Sequence, residues 1–107
     1  MELRILQVPG CPNAAILAAR LAELADADPG LHVVREVVTT QKDAERLGMT
    51  GSPTLLAHGT DPFARPGHAP GISCRLYQDE QGRPASAPSH GQLRSAVAQL
   101  VTLGQLK

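Results

Sequence analysis

Apolar and polar residues nearly alternate over residues 2–8, where Leu3 and Ile5 flank Arg4 and Leu6 and Val8 flank Gln7. The run is more apolar than a half-exposed strand and predicts a central one. Pro9-Gly10 breaks it. Within the Ala-rich stretch that follows, Leu17, Leu21 and Leu24 recur at i, i+4 and i+7. That spacing predicts a helix over residues 12–27 with one buried stripe. Pro12 suits its first turn, where a missing N–H costs no hydrogen bond. Asp28-Pro29-Gly30 ends it. Residues 31–38 are rich in Val and predict a second strand. Thr40 with Asp43 three positions on resembles a capping box for a short helix over 41–47, and Gly48 closes it in the left-handed region.

Residues 49–52 read as a turn and residues 53–57 as a third strand, which Pro53 can open but not interrupt. A long loop rich in Pro and Gly spans 58–71, and Ile72–Tyr77 reads as a fourth strand. Residues 79–82 turn the chain, and 83–88 are rich in Pro and Ala. Ser89 and Gln92 form a capping box for a last helix, whose apolar face is Leu93, Ala96, Val97, Leu100 and Val101. Gly104 is expected to end it. The predicted order is β-α-β-α-β-β-α, an α/β fold with a mixed four-stranded sheet flanked by helices. The first βαβ unit should be parallel and right-handed, and the last two strands antiparallel.

At 107 residues the chain is the length of a single domain, residues 1–107. Hydrophobic residues make up 42% and charged residues 19%, which is an ordinary globular mixture. Ten basic side chains balance ten acidic ones, so nothing favours a nucleic-acid or anionic membrane partner. Phe63 and Tyr77 are the only aromatics, too few for a base-stacking platform. No apolar run is long enough for a membrane span. The start, Met1-Glu2-Leu3-Arg4-Ile5-Leu6, does not read as a secretory signal, and a cytoplasmic protein is expected. In that compartment two cysteines are expected as free thiols, ligands or redox groups rather than a structural bridge.

Cys11 lies between the first strand and the first helix. There a sulfur faces unpaired N–H groups and the positive end of the helix dipole. Cysteines at helix N-termini have pKa values of roughly 3.5–7.5, against about 8.5 for a free thiol. The competing role is a buried cysteine that merely caps the helix. Cys74, in the fourth strand, is either a core cysteine or a thiol that meets Cys11 at the sheet edge. His32, His58, His68 and His90 lack metal-ligand spacing, although His58 or His68 could approach Cys11. No phosphate-binding glycine motif and no nucleophile elbow is present, and neither a cofactor nor, without ligand spacing, a resident metal is expected. Phe63 in the long loop is either a lid over the Cys11 groove or an anchor that packs down.

Val8-Pro9-Gly10-Cys11-Pro12-Asn13-Ala14 after strand one, and Gly51-Ser52-Pro53-Thr54 before strand three, resemble the thioredoxin-like superfamily over about residues 2–103. The resemblance implies that Cys11 is the nucleophile and Pro53 a cis-proline. It further implies that Pro12, Ser52, Pro53 and Thr54 shape a groove for a thiol-containing protein or a small thiol. Ala14 stands where a dithiol member carries its second cysteine, so the usual internal attack is not available; the resemblance leaves either a single-cysteine form, glutathione-dependent or peroxide-handling, or Cys74 as a resolving cysteine. The segment 48–56, with Asp61-Pro62-Phe63 and Ser73-Cys74-Arg75-Leu76-Tyr77, is also similar to small bacterial proteins labelled alkylmercury-lyase-like. That likeness implies a soft metal such as mercury held by Cys11 and Cys74, with Asp61 as the candidate acid. A third reading is a non-catalytic binding module on the same fold.

Overall fold

The computed structural model describes residues 1–105. Strand β1 (Glu2–Gln7) leads into helix α1 (Pro12–Ala27), strand β2 (His32–Val37) and helix α2 (Gln41–Leu47). Strands β3 (Thr50–Ser52), β4 (Thr54–Ala57), β5 (Gly71–Cys74), β6 (Tyr77–Gln78) and β7 (Pro84–Ala85) follow, and then helix α3 (His90–Gln105). The protein is a mixed α/β fold with three helices among the described residues.

The main sheet has the order β2-β1-β4. β1 and β2 are parallel, with Leu3 opposite Val33 and Leu6 opposite Glu36. β4 runs antiparallel to β1, with Leu6 opposite Thr54 and Leu3 opposite Ala57. Alternation along β1 divides the core. Leu3 and Ile5 join Leu55, Ala57, Leu17, Leu21, Leu93 and Val97 under α1 and α3. Leu6, on the opposite face, packs with Val38, Ala44 and Met49 under α2. The seven-residue α2 covers only that end of its face. Farther along the same face, Arg4 bridges Glu2 and Glu36 and is half-exposed.

Local signals produce the expected helix ends. Thr40 Oγ1 accepts the Asp43 N–H, and Gly48 closes α2 at φ 81°. Ser89 and Gln92 bond reciprocally, each side chain accepting the other's N–H. α3 does not stop at Gly104 but continues to Gln105.

The sheet departs from expectation in three ways. It has three strands rather than four. The segment expected as a turn at 49–52 contains β3, which pairs with β5 in a separate two-stranded ribbon. That pairing is parallel, not antiparallel, because β5 pairs with the segment before Pro53 rather than with β4. The expected strand over Ile72–Tyr77 is also interrupted after Cys74. Arg75 turns inward to a buried ion pair, and Tyr77 begins β6, which pairs with β7 across a tight turn.

Candidate functional site

Cys11 occupies the N-cap position of α1 with φ −65° and ψ 114°. Its side chain makes no capping hydrogen bond, so it is not spent as a helix cap. The thiol is free and half-buried, and Cys11 packs against the main apolar cluster. Pro12 follows within the first turn, as expected. Ala14, in the place of a nearby second thiol, is buried in the core beneath the same turn.

The Ser52–Pro53 peptide bond is cis. Ser52 is buried, and its Oγ accepts the Val8 N–H at 3.0 Å, tying the end of β1 to the end of β3. Thr54 is also buried, and its hydroxyl donates to the Gly51 carbonyl at 2.6 Å while accepting the Thr50 N–H at 3.0 Å. Both hydroxyls therefore build the turn around Pro53 instead of facing solvent. The Tyr77 hydroxyl donates to the Pro53 carbonyl at 2.6 Å. Burial pushes the Tyr77 phenol well above its ordinary range.

Cys74 is a free, exposed thiol, not a core cysteine. It stands in register with Ser52 across the β3–β5 ribbon, beside the residue that precedes the cis-proline. Asn13 Nδ2, two positions beyond Cys11 in the first turn of α1, lies 3.9 Å from the Cys74 sulfur. The two cysteines, far apart in sequence, are therefore brought to the same helix end by separate elements, and no disulfide joins them.

The ribbon is anchored from beneath by Arg75, whose side chain is only 4% exposed. Its guanidinium donates to Asp61 at 2.8 Å, to Thr50 Oγ1 at 3.1 Å and to the Phe63 carbonyl at 2.9 Å. It also lies 4.6 Å from the centroid of the Tyr77 ring. Phe63 packs edge-on to Tyr77 at 5.7 Å and against the main cluster, so it anchors the loop rather than forming a lid. Asp61 is committed to Arg75 and to the Phe63 N–H.

No histidine is hydrogen-bonded to Cys11 or Cys74 among the described residues. His58 is exposed and donates its N–H to the Glu2 carbonyl, at the opposite end of β1 from Cys11. His68 is exposed and borders a cavity of about 300 Å³ between the long loop and β6, whose lining includes Phe63, Arg75 and Tyr77. His90 pairs with Glu23 across α1 and α3, and His32 is exposed on β2. No cluster of three or more His, Cys, Asp or Glu among the described residues is placed to hold a metal. None of the described helices is long and apolar enough to cross a membrane.

Sequence reasoning missed Asn13, Gly51, Arg75 and Tyr77 as contributors to this region. For Arg75 and Tyr77 a signal existed: alternation puts positions 75 and 77 on one side of an extended segment. For Asn13 and Gly51 the decisive partner lies far along the chain. Searches of protein-family models, of curated proteins and of solved structures find no match to the chain.

Proposed function

We propose that the chain is a thioredoxin-like thiol protein in which Cys11 is the nucleophile and Cys74 its second thiol. The observation that carries this reading is the approach of the free Cys74 to Asn13, in the first turn of the helix that the free Cys11 precedes, beside the cis Ser52–Pro53 bond. The thiol missing at Ala14 is supplied from β5 instead.

In the proposed reaction, the Cys11 thiolate attacks one sulfur of a disulfide RS–SR. The S–S bond breaks, a mixed disulfide forms on Cys11, and one RS⁻ leaves. The Cys74 thiolate then attacks the Cys11 sulfur and displaces the second RS⁻. The two cysteines have given two electrons and two protons, and the substrate has become two RSH.

Quenched mass spectrometry of the reduced protein with excess small disulfide tests this. The wild type should lose two hydrogens and release two thiols per chain. Cys74→Ser should stop at the mixed disulfide with one thiol released, and Cys11→Ser should not form the internal bridge. If Cys11→Ser reacts as the wild type does, the reading is wrong, and a non-catalytic binding module takes its place.

The same pair of thiols favours one second reading, a soft metal ion such as Hg(II) taken as cargo between two thiolates. Cleavage of an organomercurial would also need an acid, and Asp61 is spent on Arg75. Binding without cleavage is the form this reading takes. One Hg(II) per chain, lost in either single Cys→Ser variant, is its expected signature; independent binding by each cysteine would overturn it.

A further inference from the structure

We infer that the Cys11–Cys74 site takes small disulfides and excludes extended polypeptide chains. This rests on the dithiol reading above. An extended peptide docks beside a reactive group by adding a strand, and that needs free main-chain donors and acceptors. Along residues 49–53 the protein has spent most of its own. The Met49 carbonyl accepts the Gly71 N–H at 2.9 Å, and the Ser52 carbonyl accepts the Arg75 N–H at 3.0 Å. The Gly51 carbonyl and the Thr50 N–H both bond to the Thr54 hydroxyl. The Pro53 carbonyl is taken by Tyr77, and a proline has no N–H to offer.

The strand that fills this edge is also held close. Gly51 lies at φ +102°, and a Cβ added there would come within 2.7 Å of Arg75 Cβ. No second chain fits between β3 and β5. Arg75 is in turn locked by Asp61, Thr50 and the Phe63 carbonyl. A peptide strand could add only outside β5, one strand spacing of about 4.8 Å farther from Pro53. Cys74 thus fills the register position beside Ser52 that a docked peptide would need. A small disulfide needs no strand edge, only access to sulfur.

Two substrates with matched leaving groups test the inference. One is the disulfide of N-acetylcysteine amide. The other is the disulfide of a linear ten-residue peptide with a single central cysteine. Each rate of Cys11–Cys74 bridge formation is divided by that substrate's rate with a free small thiol, which removes intrinsic differences in exchange. The small disulfide should then be favoured at least tenfold. Equal rates, or a preference for the peptide disulfide, would overturn the inference while leaving the dithiol reading intact. If neither substrate closes the bridge, the dithiol reading fails and the inference falls with it.

Discussion

The Arg75 guanidinium is enclosed by Asp61, Thr50, the Phe63 carbonyl and the face of Tyr77, while its Nε finds no acceptor. Desolvating such a pair offsets much of its attraction, but removing one partner strands the other charge. Arg75→Met should therefore cost about 3–5 kcal/mol in urea unfolding. The double variant Asp61→Leu/Arg75→Met should lose less than the two single losses combined, because no lone charge is left buried. Tyr77 allows a pH test, since it is the only tyrosine and there is no tryptophan. Burial raises its phenol in the folded state, so its contribution to stability is complete below the ordinary phenol range near pH 10. The contribution is lost as pH rises from there toward the raised value. Tyrosinate absorbance near 295 nm should stay low at pH 10 in the folded protein and appear together with unfolding. Appearance at pH 10 without unfolding would show that the ring is open to solvent. At this scale the placement of Cys11 and Pro12 at the start of α1 was legible from local backbone chemistry, whereas the cis bond at Pro53 was implied by the resemblance alone. Arg75 was missed although alternation pairs it with Tyr77, because an arginine reads as solvent-facing until its acid partner is located.

Elements with local signals were the most legible. The Ser89–Gln92 box, the Thr40 cap and the left-handed Gly48 each involve residues at most four apart, and each stands where the sequence puts it. Ser89→Ala should cost about 1 kcal/mol, within a range of roughly 0.5–2 kcal/mol, by thermal or urea unfolding. The loss should concentrate in α3, as faster amide exchange in its first turn; uniform exchange along α3 would contradict the cap's role. Strand β3 was hidden for the opposite reason. Thr50-Gly51-Ser52 has no apolar alternation, and its pairing partner starts about twenty residues later, across a loop of prolines and glycines. Sheet register depends on such distant partners, so the expected fourth strand became two short ones belonging to different ribbons.

At the scale of the molecule, one sheet carries the core and a separate ribbon carries the second cysteine. β2-β1-β4, with α1 and α3 on one face and α2 on part of the other, buries the main clusters without help from β5. The ribbon contributes position instead, and Gly51 sets how closely it lies. Gly51→Ala introduces a Cβ at φ +102° against Arg75 Cβ, so β5 must retreat. The expected variant keeps its helical circular dichroism and a cooperative unfolding transition, at lower stability. Closure of the Cys11–Cys74 bridge should slow about tenfold or more, since displacing a reacting group by about 1 Å can cost as much as 10²-fold. Initial alkylation of Cys11, which stands at the N-cap of α1 rather than on the ribbon, should proceed at nearly its original rate. Unchanged closure would show that Cys74 reaches Cys11 without the β3–β5 pairing. Loss of Cys11 reactivity as well would show that the ribbon supports the first thiol along with the second.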